Sequence, residues 1–162
     1  MAKNTLFKKD LANKRLHVTR EFDAPVGKVW KAWTESELLD KWWAPKPWRA
    51  ETKAMDFKEG GAWFYRMVGP DGTSQWSNVH FTTIVPGKSF SSACNFCDER
   101  GNIDSIMPAM YWLVEFEATT TGTKVEVELI FDKEADMEKI MTMGFEGGFT
   151  MGLGNLDELL AE

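Results

Sequence analysis

From Trp48 to Phe131 the chain alternates between apolar and polar residues and is interrupted only by short turn-like sequences. A period of two belongs to strands that cover one face and wet the other. The pattern predicts strands over residues 49–58, 62–68, 74–85, 88–96, 110–118 and 124–131. In the last two, Met110, Trp112, Val114 and Phe116 share a face, as do Val125, Val127, Leu129 and Phe131. Glu115, Glu117, Glu126 and Glu128 take the other. The breaks at 59–61, 69–72, 86–87, 98–102 and 119–123 are rich in Gly, Pro, Asp and Asn, so neighbouring strands should pair antiparallel.

Before this region, residues 15–22 (RLHVTREF) alternate as a first strand, giving a sheet of seven. Asp23-Ala24-Pro25 ends it, and proline suits the first turn of a helix. Val26, Val29, Trp30 and Trp33 then recur at helical spacing. Thr34-Glu35-Ser36-Glu37 has the form of a capping box. It predicts a second short helix carrying Leu38, Leu39, Trp42 and Trp43 on one side and stopped by Pro45 and Pro47. Residues 1–13 read as an extension, either a short helix or a loose tail, ahead of a domain over 14–162.

The end of the chain, 132–162, predicts a single helix from about Glu134 to Leu160, roughly 40 Å long at about 1.5 Å per residue. At about 100° per residue, Met137, Ile140, Met141, Gly144, Gly148, Met151 and Gly152 fall on one broad face. Phe145, Phe149, Leu153, Leu156 and Leu160 fall beside it. Each glycine inside a helix costs about 1 kcal/mol relative to alanine. Either a backbone passes close to them, or glycine and methionine form the adaptable wall of a cavity. The order strand, two helices, six strands, long helix makes an α+β fold: an antiparallel sheet curled around the terminal helix.

Composition narrows function mainly by exclusion. A net charge of −6 and a pI near 5.1 argue against a nucleic-acid partner. No segment is apolar for long enough to span a membrane, and the basic start lacks the apolar run of a secretory signal. A cytoplasmic location is the expectation. Cys94 and Cys97 form a lone C-x-x-C on a strand, where positions i and i+3 point to opposite faces. They read as structural thiols with no metal between them. Eight tryptophans and nine methionines point to a large, aromatic, adaptable interior.

The stretches TREFDAPVGKVWKAWTESELLDKWWAP, MDFKEGGAWFYRMVGPDGT, IVPGK, VEFEATTTGTKVEVELIF and GFEGGFTMGLGNLDELL together resemble the SRPBCC (START-like) superfamily, the helix-grip fold. Within it, the chain is most similar to the family of the C-terminal domain of the activator of the heat-shock-protein-90 ATPase. The resemblance covers about residues 14–161 and departs from the family at the basic extension, at Cys94–Cys97, at 102–108 and in the glycine-heavy stretch Gly144–Gly154. It implies a hydrophobic cavity between the curled sheet and the terminal helix. Relatives with that cavity bind lipids, hormones or polyketides.

The expected function is therefore binding of a small apolar or aromatic, lipid-like ligand by a monomer or homodimer without a cofactor. Trp63, Tyr65 and Met67 share a face of one strand, and Met110, Trp112 and Val114 a face of another. With Met141, Gly144, Gly148 and Met151 of the helix they are the expected cavity wall. Trp76 and His80 share a face of 74–85, and the alternation does not decide whether that face looks inward. Two other readings are a co-chaperone-like partner of an ATPase chaperone and a cyclase- or hydrolase-like enzyme. For the latter, His17, Tyr65, Arg66, His80 and Glu146 are the acid–base groups, but none sits in a nucleophile–base pattern, so no catalytic residue is assigned.

Overall fold

In a computed structural model, which describes residues 4–162, a single sheet grips the terminal helical segment. The strands are β1 (Leu6–Asp10), β2 (Arg15–Phe22), β3 (Arg49–Met55), β4 (Ala62–Val68), β5 (Ser74–Val85), β6 (Ser89–Cys97), β7 (Met110–Ala118) and β8 (Thr123–Ile130). They are antiparallel in the order β1-β2-β8-β7-β6-β5-β4-β3. The helices are α1 (Val26–Thr34) and α2 (Ser36–Trp42) after β2, then α3 (Glu134–Thr142) and α4 (Phe145–Leu160) at the end. Since β2 and β3 lie near opposite ends of the sheet, α1 and α2 carry the chain across its inner face. Register shifts at Thr52/Ala54 in β3 and Phe81/Thr83 in β5 are bulges of the kind that bend a strand and increase its twist.

The sheet has eight strands rather than seven, because the segment read as a helix or tail contributes β1. Asp10 closes the turn by accepting from the Asn13 backbone N–H at 3.2 Å and from Asn13 Nδ2 at 2.8 Å. Lys14 takes the left-handed conformation, φ 58°. Leu6 and Phe7 then pair with Thr19 and Val18. The rest of that expectation, residues 1–3, lies outside the described residues.

The predicted long helix is two helices. Gly144 adopts φ 88°, a left-handed conformation that ends α3 and restarts the chain as α4. The break resets the helical phase. Phe149, Gly152, Leu153, Leu156 and Leu160 are buried, while Met151 is 47% exposed. The face read as flanking is therefore the inner one.

The capping box does not form. Thr34 Oγ1 instead donates back to the Trp30 carbonyl at 2.8 Å, and the residue capping α2 is Glu35 in extended conformation.

Three polar contacts hold α4 in place. Arg20 faces inward from β2, 4% exposed, and its guanidinium makes a two-pronged ion pair with Asp157. Lys28 of α1 donates to the Leu160 carbonyl at 2.7 Å, placing a cation at the negative end of α4. Buried Asn155 donates to the carbonyls of Trp42 at 3.4 Å and Ala44 at 3.1 Å, so α4 also caps α2. No described helix is long and apolar enough to cross a membrane.

Candidate functional site

The strands β4 to β7, α4 and the end of α2 frame a partly open cavity of about 210 Å³. Strand alternation builds its floor. Trp63, Tyr65 and Met67 come from β4, and Met110, Trp112 and Val114 from β7. The β5 register turns Ser77, Val79 and Phe81 inward, and β6 adds Phe90, Ser92 and Cys94. The roof is Phe145, Gly148 and Phe149 of α4 with Trp43 and Pro45 after α2. Among the described residues, no Asp, Glu, Lys, Arg or His lines the cavity.

Trp43 is the side chain around which this wall is arranged. Its ring meets Trp42 at 5.2 Å, Trp63 at 5.6 Å, Trp112 at 5.6 Å and Phe149 at 6.3 Å, edge-on or tilted. Such offset and T-shaped pairs suit the ring quadrupole. Its indole Nε1 donates to the Tyr65 hydroxyl at 2.9 Å. Tyr65 in turn stacks on Trp63 with centroids 4.0 Å apart and planes at 19°. Trp63 Nε1 is satisfied by Thr52 Oγ1 at 2.9 Å, which donates onward to Asp40 at 2.6 Å. Burial pushes the Tyr65 phenol above its ordinary value, so it stays neutral. Burial likewise pushes the Cys94 thiol up to about 12, the wrong direction for a nucleophile. Cys97, with its thiol also raised by burial, lies at the end of β6, and neither cysteine is in a disulfide.

Of the residues singled out from sequence, Trp63, Tyr65, Met67, Met110, Trp112, Val114 and Gly148 line the cavity, and five do not. Trp76 and His80 are on the outer face of β5. There Trp76 packs on Phe64 at 4.9 Å beneath the Lys53 and Arg66 cations, and His80 is exposed. Met141 is half-buried on α3, Gly144 is the break itself, and Met151 points to solvent on α4. The misplacement of Met151 comes from carrying one phase through Gly144.

The sequence pattern places Trp43 on the same side of α2 as Trp42. Successive helical residues point about 100° apart. Trp42 therefore enters the core, 1% exposed, while Trp43 turns into the cavity. That rotation was the available signal. Phe145 and Phe149 were legible as apolar but were assigned to the flank.

The acid–base groups weighed for catalysis are scattered. His17 faces Glu126 at 3.6 Å on the outer sheet face, Arg66 pairs with Glu51 at 2.7 Å, and Glu146 with Lys9 at 3.5 Å. Among the described residues no cluster of His, Cys, Asp and Glu could hold a metal ion.

An antiparallel sheet curled over a C-terminal helix, with an apolar space between them, defines the START-like helix-grip class. Within that class the chain belongs to the family described as Activator of Hsp90 ATPase homolog 1-like protein, whose profile matches residues 23–161. Solved structures agree. A protein from Arthrobacter aurescens is 30% identical with a TM-score of 0.91, over 96% of this chain and 91% of that one. One from Mycobacterium smegmatis is 27% identical with a TM-score of 0.89, over 97% of each chain. An activator-family protein from Silicibacter pomeroyi, 21% identical with a TM-score of 0.72 over 91% of this chain and 97% of that one, shares the fold. Comparison with curated proteins gives no match.

Proposed function

We propose that this protein binds a small apolar molecule of aromatic-ring size in the cavity beneath α4. The observation that carries the reading is a charge-free wall of aromatic and aliphatic side chains around about 210 Å³. Ligand sites are predominantly apolar with a few placed polar groups. An apolar protein cavity of about 150 Å³ already takes up benzene, so this one has room for a ring and its substituents. Burial of such a ring supplies roughly 25 cal/mol per Å² of apolar surface, partly offset by the cost of immobilising it.

The helix side of the cavity offers a way to close it. A Cβ on Gly148 would meet only Pro45 Cγ at 3.7 Å, an ordinary contact, so a larger side chain there has space to enter. Gly148→Leu should therefore exclude a naphthalene-sized probe while its thermal midpoint stays at or above the parent's. Native mass spectrometry of the freshly purified parent should also reveal a co-purifying small molecule that Gly148→Leu lacks. A parent that takes up neither probe nor cellular molecule would rule the reading out.

A further inference from the structure

Several polar atoms around the cavity already have partners or are sealed off. Trp43 Nε1 has the Tyr65 hydroxyl and Trp63 Nε1 has Thr52 Oγ1. Trp33 Nε1 has no partner but is sealed away from any accessible space. Trp112 Nε1 and Ser92 Oγ are different. Among the described residues neither has a hydrogen-bond partner, and neither is sealed off. Their residues are only 8% and 6% exposed, and both line the cavity.

The two are also neighbours. Ser92 of β6 and Trp112 of β7 are directly opposed in register, which sets their Cβ atoms about 4.5–5.5 Å apart on one face. An indole N–H can only donate, whereas a hydroxyl can do either. A carbonyl oxygen, with two lone pairs, can accept from both at once. An ion is disfavoured at this corner, because it would lose its hydration with no charged side chain in the cavity to replace it.

Resting on the cavity-binding reading, we infer that the ligand is an uncharged ring compound bearing a carbonyl oxygen, held by Trp112 Nε1–H and Ser92 Oγ–H. The ring lies among the aromatic side chains, and the oxygen reaches the sheet between β6 and β7. Uncharged ketones, esters, lactones and amides fit this description; carboxylates such as free fatty acids do not.

Three probes of matched shape test it on the purified full chain: 2-acetonaphthone, 2-ethylnaphthalene and 2-naphthoate, with affinities read from tryptophan fluorescence. The acetyl compound should bind on the order of ten-fold tighter than the ethyl compound, the size of one well-made hydrogen bond. The carboxylate should be the weakest. Ser92→Ala and Trp112→Phe should each shrink the acetyl-to-ethyl ratio, whatever either does to apolar contact with both compounds alike. Ser92→Ala, the smaller change, serves as the test if Trp112→Phe fails to fold. Equal binding of the acetyl and ethyl compounds, as when a water holds the corner, overturns the carbonyl assignment and leaves the cavity reading standing. A preference that survives both substitutions, or tightest binding by the carboxylate, also overturns it. Failure of all three probes to bind sinks both readings.

Discussion

The indole nitrogen of Trp43 donates to the phenol oxygen of Tyr65 at 2.9 Å, joining the end of α2 to β4 across the roof of the cavity. The position of Trp43 is itself fixed by α4. Asn155 binds the carbonyls of Trp42 and Ala44, and Gly152 lies against those of Trp42 and Trp43. Tyr65→Phe removes the acceptor and leaves the Trp43 N–H without a partner. Because Trp43 is only half-buried, the loss should be about 1 kcal/mol, at the low end for an orphaned donor. Urea melts of Tyr65→Phe beside Trp43→Phe measure it, and the double variant should cost less than the two singles added.

The terminal glycines separate by what surrounds them. Gly148→Ala should stabilise by about 0.5–1 kcal/mol through helix propensity, since its Cβ finds space. A Cβ on Gly152 would stand 3.3 Å from the Trp43 carbonyl oxygen and 3.4 Å from that of Trp42. Gly152→Ala should therefore destabilise by about 1–3 kcal/mol, as overpacking does. Gly144→Ala has room but must hold φ 88°, a loss of about 1–2 kcal/mol. Thermal melts of the three single variants check the order.

Arg20 and Asp157 should behave as an ion pair whose rupture costs more than its absence. Asp157→Asn leaves an inward-facing guanidinium without its counter-charge. Asp157 is 30% exposed, so we expect about 2–3 kcal/mol rather than the full loss for a buried pair. The double variant Arg20→Met/Asp157→Leu should recover most of that in chemical denaturation.

Alkali should act through the buried thiol. Cys94 is held protonated in the folded state, with its pKa raised to about 12 from 9.0, whereas the unfolded chain ionises near the ordinary value. This contribution is fully present below pH 9 and is lost as the pH climbs toward 12. One such proton changes stability by at most about 1.4 kcal/mol per pH unit. Between pH 8 and about 10.5 the parent should lose stability faster than Cys94→Ser, which has no such proton to release. Parallel slopes would show that Cys94 ionises as easily folded as unfolded.

The sheet was legible because its signal is local. Alternation and turn chemistry place β2, β4, β5 and β7 at the observed boundaries, and the inward faces of β4 and β7 follow from it directly. What was not legible depended on single backbone events. Gly144 could have been one more helical glycine or a break, and only packing against the curled sheet selects the break. The orientation of β5 was likewise open, since Trp76 and His80 could have faced either way. Ser77, Val79 and Phe81 were the better core set, and Trp76 found its burial outside, under Lys53 and Arg66. Trp42 and Trp43 show the same limit at smaller scale. A helix this short does not say which of two adjacent tryptophans enters the core, and the docking of α4 decides it.

The eight tryptophans supply the most direct test of a ligand cavity, because each indole N–H gives its own signal in a proton–nitrogen correlation spectrum. On titration with 2-acetonaphthone, the indole signals of Trp43, Trp63 and Trp112 should move and saturate together. That of Trp76, on the outer face of the sheet, should stay where it is. Saturable movement of Trp76 with the cavity tryptophans still, or no saturable movement at all, would contradict the account.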